Sequence, residues 1–366
     1  MFSVKKLPLL SALLAISTSL VLIVFSIWFG DLNQDEGWYL YAAKMVSRGC
    51  LPYRDFFFTQ GPTLPAVYGL TYDLWSWAGV LGGRVFTALI GFFAALLTGL
   101  LASRSVSREK ALPVGIVAFA LVACNLYHVY FTVIPKTYAL ASFLLAASFL
   151  LLTFCDGTKR SMLIAFAAGA IAAFAGGARV SLLFALPPVA FALLIYRRFW
   201  GWAWFFFGVG AVAGVAVTFG WTFFLAPEEF LFSQTFHIGR GGRNLMFVAG
   251  SISRTVRAYT ALFGMGLFAL CFRFATGRRD EGKVQPSPRA FHRIIWLLAS
   301  GSVVLVQLTS PHPYDDYQVP VMGILGASLA AGAFDMVNAK KSVSWAAFFA
   351  VVFVCMVSFG SSMIQD

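Results

Sequence analysis

Long apolar runs recur from one end of the chain to the other, separated by short polar breaks. A helix needs about 20 mostly apolar residues to cross a bilayer. Runs near that length predict membrane helices over roughly 7–30, 79–102, 111–132, 138–155, 162–178, 181–196, 201–225, 258–272, 294–309, 318–336 and 343–360. The stretch 162–196 reads either as two spans or as one re-entrant hairpin about Gly176-Gly177-Ala178-Arg179. The pattern predicts an all-α polytopic membrane fold of about eleven transmembrane helices. It forms a single domain over 1–366, with no separate soluble domain and no internal repeat. Leu7–Phe29, after Lys5-Lys6, imitates a signal peptide. It is longer than an ordinary apolar signal core and lacks a small-x-small cleavage site, so it reads as an uncleaved first span.

Composition agrees: the 366 residues are 60% hydrophobic and only 11% charged, with a mean hydropathy of +0.80. Charge then orients the chain. With the N-terminus in the cytoplasm, most of the 27 Lys and Arg fall in cytoplasmic segments, and most of the 15 acids fall on the other side. This is the positive-inside bias. The net charge of +12 is thereby a consequence of topology and gives no reason to infer nucleic-acid binding. The five cysteines and four histidines show no disulfide framework and no metal-ligand spacing.

Candidate chemistry gathers in three polar stretches on the non-cytoplasmic side: 31–78, 226–257 and 310–317. In the first, Asp35-Glu36 starts a helix, because Asp is a good N-cap and acids suit a first turn. Trp38, Ala42 and Met45 share one face of it, and Tyr41, Lys44 and Arg48 another, as in a helix lying at a membrane surface. Gly49 ends it. A second apolar helix is expected from Thr63 to about Trp75, after Pro62.

The order Asp35-Glu36-Gly37-Trp38-Tyr39-Leu40-Tyr41-Ala42-Ala43, then Leu51-Pro52-Tyr53-Arg54-Asp55-Phe56, then Gln60-Gly61-Pro62 resembles the GT-C glycosyltransferases that use polyprenyl-phosphate sugars. These include protein O-mannosyltransferases, lipid A aminoarabinose transferases and their bacterial relatives. The resemblance is densest over 31–72; beyond that it is one of layout. It implies a multi-pass protein of the bacterial inner (plasma) membrane with its N-terminus cytoplasmic and its active site extracytoplasmic. It implies a polyprenyl-phosphate sugar as donor and a lipid, glycan or protein as acceptor, with membrane lipids around the chain. Asp35 matches the general base and Glu36 its acidic partner. Asp55 matches a second acidic position that orients the acceptor or a metal ion, so a divalent cation (Mg or Mn) is compatible with the resemblance. One departure stands out: several relatives carry Lys-Pro where this chain has Gly61-Pro62, and that lysine is thought to hold the donor phosphate.

A phosphate leaving group needs positive charge where its negative charge develops. The cations on the non-cytoplasmic side or near the interface are Arg54, Arg84, Lys136, Arg179, Arg240, Arg243, Arg254 and Arg257, of which Arg54, Lys136, Arg179 and Arg243 are the candidates for the donor phosphate. In the final polar loop, His312 and Tyr314 are candidates for hydrogen bonds to the sugar, beside Asp315 and Asp316. Plainer roles suit the same residues. Asp35 could cap its helix, Asp55 could serve a turn beside Arg54, Lys136 could anchor at the interface, Arg179 could snorkel, and the last-loop acids could be solvated. Two other functions fit a chain of this type. A transporter or flippase of lipid-linked sugars would place ionisable groups within several spans and often shows related halves. A non-catalytic assembly subunit would keep the fold without the missing lysine.

Overall fold

The computed structural model describes residues 6–236, 245–275, 287–310, 312–335 and 340–361. Among them regular structure is helical, apart from one isolated bridge between Pro52 and Phe56. Helix α1 (Leu7–Phe29) leads into the first polar loop, which holds α2 (Gln34–Ser47), α3 (Thr63–Leu70) and α4 (Tyr72–Trp75) before α5 (Gly79–Arg104). Helix α6 (Arg108–Ala123) meets α7 (Leu126–Val133) at a bend of 68°. Next come α8 (Thr137–Leu152), α9 (Lys159–Ala178), a 3-10 turn (Val180–Ala185), α10 (Leu186–Ile195) and α11 (Arg197–Trp200). Helix α12 (Ala203–Val215) passes through a π turn into α13 (Trp221–Leu225), followed by α14 (Pro227–Thr235), α15 (Leu245–Ala258) and α16 (Thr260–Ala275). The last part is α17 (Pro288–Leu308), a 3-10 turn (Asp315–Gln318), α18 (Val319–Asp335) and α19 (Lys340–Ser361).

Six helical stretches among the described residues are long and apolar enough to cross a membrane. The α6–α7 pair forms a bent seventh, and Thr137–Leu152, Val180–Ile195, Thr260–Cys271 and Ser342–Val357 are shorter apolar helices. Each segment expected from the apolar pattern coincides with one of these. Between 162 and 196 the helix breaks at Arg179, whose backbone is extended.

Helix α6 is buried continuously from Pro113 to Ala123, as a helix apolar on every side should be. It packs against α1, α5, α18 and α19 and forms the middle of the bundle. Helices α9 and α12 approach so closely that a Cβ on Gly169 would strike the Phe207 carbonyl, and one on Gly210 the Phe166 carbonyl. Small residues at such seams let membrane helices gain dispersion contacts where no hydrophobic drive exists. The α6–α7 bend is fixed by Asn125. Its side chain caps α7 by accepting from His128 N (2.8 Å) and donates to the Ala258 carbonyl (2.8 Å).

The first loop is a packed structure. Helix α2 starts earlier than expected, and its cap is Asn33, not Asp35. Asn33 Oδ1 accepts from Asp35 N (3.0 Å), and Glu36 Oε1 accepts from Asn33 N (2.9 Å), a reciprocal capping box. At the other end Gly49 takes φ +84°, and Cys50 N bonds back to the Met45 carbonyl, which satisfies the last carbonyls of the helix. Glu36 is also buried against Arg84 of α5. Arg84 Nε and Nη2 donate to its two oxygens at 2.8 and 2.6 Å. The same guanidinium donates to the carbonyls of Ile27, Gly30 and Asp31 at 2.8–3.0 Å. One side chain therefore joins the end of α1, the start of the loop and α2 to α5.

Between α2 and α3, Tyr53 holds φ +71°. Its hydroxyl donates to the Gln60 carbonyl and accepts from Gln234. Asp55 accepts from Leu51 N (2.8 Å) and from Arg54 (2.9 Å). The Arg54 hydrogen bond, with that of Leu51, pulls the Asp55 carboxyl down to about 2. Gly61 then abuts α9: a Cβ there would collide with the Gly177 carbonyl.

Two outcomes follow. Arg84→Met leaves a buried carboxylate unpaired and should destabilise the protein by about 3–5 kcal/mol, read as a lower Tm of the purified protein in detergent. The double variant Glu36→Met/Arg84→Met should regain much of the loss, and an unchanged Tm in the single variant would contradict the role given to the pair. Asp55 has a lowered pKa, so its contribution is present above the ordinary carboxylate range and lost as pH falls through the lowered value. The Tm difference between wild type and Asp55→Asn should be flat between about pH 5 and 8 and narrow only toward about pH 2.

Candidate active site

Because Asn33 caps α2, the Asp35 carboxylate is free of the helix end. It meets Lys136, whose Nζ lies 2.9 Å from Asp35 Oδ2. Lys136 sits at the head of α8, after the tight Ile134-Pro135 turn, and its ammonium is also 3.7 Å from Asp316 Oδ2. Tyr138, the second residue of α8, donates to the same Asp316 oxygen at 2.6 Å. Three distant stretches of sequence thus meet at one lysine. Access is uneven: the Asp35 side chain is 42% exposed, while those of Lys136 and Asp316 are 10% and 14% exposed. The carboxylate is the open member of a largely buried cluster.

Arg179 lies behind it. The residue is buried, and its guanidinium carbon stands 5.0 Å from the Tyr138 ring centre and 4.3 Å from that of Tyr317. These are cation–π distances. Among the described residues no carboxylate lies within ion-pair distance, and its Nε has no hydrogen-bond partner. Tyr39, on α2, completes this wall. Burial pushes its phenol well above the ordinary range, with the Arg179 charge opposing and the Asp35 charge adding to the rise. The hydroxyl therefore stays protonated and able to donate.

The other sequence candidates fall elsewhere. Glu36 spends its oxygens on Arg84 and the helix cap. Arg54 and Asp55 pair with each other at the surface. They line a cavity of about 420 Å³ with Phe57, Glu228, Glu229 and Phe232, none of which belongs to the Asp35 cluster. His312 and the exposed Tyr314 pack their rings on Phe247 of α15, at 5.7 and 5.6 Å. Arg240 and Arg243 lie outside the described residues. From the last polar loop it is Asp316 and Tyr317 that reach the cluster. Tyr39, Tyr138, Asp316 and Tyr317 carried no assigned role from sequence. A signal existed for one of them, since a lysine expected near an apolar segment needs a carboxylate partner.

A second cavity, about 330 Å³ and almost wholly apolar, opens beside Pro62. Val67 and Leu70 of α3, Leu144 of α8, Phe174 of α9 and Trp221 line it. Among the described residues no group of three or more His, Cys, Asp or Glu side chains could hold a metal ion. The point between Asp35 and Asp316 is filled by the Lys136 ammonium.

No protein family and no curated protein matches the chain. Among solved structures, that of ArnT from Cupriavidus metallidurans in the apo state matches with a TM-score of 0.58 and 19% identity. The match covers 89% of this chain and 60% of ArnT, so the chain spans about 60% of that protein's length. At this identity the likeness concerns the fold, and it extends far beyond the first loop from which the resemblance was drawn. The chain has an ArnT-like, all-α polytopic membrane fold over most of its length.

Proposed function

We propose that the chain is an inverting membrane glycosyltransferase that moves a sugar from a polyprenyl phosphate to a cell-envelope acceptor on the extracytoplasmic face. The observation that carries this reading is the open Asp35 carboxylate set against Lys136, with the unpaired Arg179 guanidinium behind. Asp35 takes the proton from an acceptor hydroxyl or amine. The freed lone pair attacks the sugar C1 as the C1–O bond to phosphate breaks, and polyprenyl phosphate leaves with the bonding electrons. A single displacement inverts the anomeric centre.

Lys136 and Arg179 supply positive charge for the leaving phosphate. Such charge, fixed in a dry site before reaction, is worth far more than in water. Guanidinium also suits phosphate geometry. This assigns to Lys136 and Arg179 the task that the lysine at the Gly61 position performs in similar sequences, where here the Gly177 carbonyl leaves no room for a side chain. The apolar cavity beside Pro62 suits the first part of an isoprenoid chain. Glu36 serves through Arg84, holding α2 so that Asp35 faces Lys136. The positive-inside bias supports the extracytoplasmic placement.

The test combines two measurements. Mass spectrometry of envelope glycolipids and glycans, with and without the chain, should reveal a missing glycosidic product. With the purified protein and a panel of polyprenyl-phosphate sugars, Asp35→Asn should lower transfer by about 100-fold or more at an unchanged Tm. Wild-type turnover in that variant would rule out the assignment. Movement of labelled polyprenyl-phosphate sugar across proteoliposomes, without any glycosidic bond formed, would replace it with transport. Lys136→Met should lower transfer as well and also lower Tm, because it leaves Asp35 and Asp316 facing each other without a cation.

A further inference from the structure

Asp315 and Asp316 are neighbours on the 3-10 turn that precedes α18. Such a turn has about three residues per revolution, so successive side chains leave it in different directions. Asp316 goes to Tyr138 and Lys136. Asp315 goes the other way: Tyr127 of α7 donates to its Oδ2 at 2.7 Å, and Arg254 of α15 pairs with its Oδ1 at 3.1 Å. Tyr317 reaches Arg179. The two carboxylates therefore grip both ends of one stretch of chain. Tyr127 lies in the first turn of the short helix α7, which leads through Ile134-Pro135 to Lys136, and Lys136 and Tyr138 stand at the far end of that stretch.

The lysine ammonium is closer to Asp35 (2.9 Å) than to Asp316 (3.7 Å). How strongly Asp316 draws on it depends on where the turn is held. Among the described residues, Asp316 has no backbone hydrogen-bond donor to its carboxylate and is held only by Tyr138 and Lys136 themselves. Beside the Tyr317 ring on Arg179, the side-chain anchor of the turn that involves neither Lys136 nor Tyr138 is Asp315. Of its two bonds, the one to the half-buried Tyr127 is the firmer, since exposed ion pairs such as that with Arg254 contribute little. Tyr127 is itself packed edge-on against Tyr259 at 5.9 Å, and His128 Nδ1 meets the Tyr259 hydroxyl at 3.1 Å.

We infer that Asp315 is a positioning residue, which through its bond to Tyr127 holds the 315–318 turn so that Lys136 stays shared between Asp35 and Asp316. The inference rests on the reading of Asp35 as general base for its effect on rate, but not for its effect on Lys136. When the Tyr127–Asp315 bond is lost, Asp316 falls away and Lys136 loses one of its two carboxylates. Asp315 touches no reacting atom in this account.

Two readouts test it. The first needs no turnover: acylation of Lys136 by an amine-directed reagent, followed residue by residue by mass spectrometry. Asp315→Leu and Tyr127→Phe should each change the Lys136 labelling rate by about threefold or more, and Asp315→Asn, which still accepts from Tyr127, should stay near wild type. In an Asp316→Asn background the Asp315→Leu change should add nothing, since residues acting through one another are not additive. The second readout is transfer itself, where kcat should fall about tenfold in Asp315→Leu and Tyr127→Phe while KM for the lipid donor holds. Tyr127→Phe removes a single hydroxyl and keeps the comparison valid if Asp315→Leu folds poorly. Unchanged Lys136 labelling in Tyr127→Phe, or equal effects of Asp315→Leu with and without Asp316, would overturn the inference. If labelling follows the pattern but wild-type protein transfers no sugar from any donor, the positioning stands and the glycosyltransferase reading fails.

Discussion

The bond on which the first loop depends is the fork of Arg84 into Glu36. A guanidinium offers five donors in a rigid plane, and here they go to one carboxylate and three backbone carbonyls, one in the last turn of α1 and two just beyond its end. Such a charge is costly to bury alone, so the carbonyls and the carboxylate are held to the geometry it requires. That fixes the start of α2, and with Asn33 serving as cap it leaves the adjacent Asp35 free to point at Lys136. Neighbouring acids in one helical turn acquire opposite tasks because one has been enclosed and the other left open.

The sequence exposed the large features because the bilayer simplifies them. A membrane helix must be long, apolar and internally hydrogen-bonded, so the eleven apolar segments were legible from pattern alone. The ends of α2 were nearly so: Gly49 stops it as expected, while its start was misplaced because Asn33, Asp35 and Glu36 can all serve a helix N-terminus, and it is the reciprocal Asn33–Glu36 capping box that forms. The proposed lipid-linked donor comes from resemblance, since no local pattern of residues encodes it. What could not be read was which residues of separate loops face one another. Lys136 and Asp316 are 180 positions apart, and nothing local at either one announces the other.

The last polar loop shows the same limit on a finer scale. His312 and Tyr314 carry the more suggestive chemistry, yet they pack on Phe247, while Asp316 and Tyr317 enter the cluster. A 3-10 turn separates consecutive side chains by about a third of a revolution. A shift of one residue in where that turn begins would rotate every side chain by that third and change which of them enter the cluster. Composition fixes what the loop has to offer, and the phase of a four-residue turn fixes what it delivers.

Close backbone contact supplies the remaining constraint. Gly61 lies on the Gly177 carbonyl, and Gly177 in turn leaves no space for a Cβ beside Thr63 and Thr218. This seam ties the start of α3 to the end of α9, two residues before Arg179. The apolar cavity opens along the same seam, bounded by Pro62, Thr63 and Thr218. The apolar groove and the helix end that carries the buried Arg179 are thus built on the same glycine contact. A longer residue at 61 would force the two backbones apart and move the groove relative to Arg179. In this chain the bare backbone at 61 and the close approach of the α9 end that carries Arg179 are one structural fact, since a side chain at 61 would meet the Gly177 carbonyl.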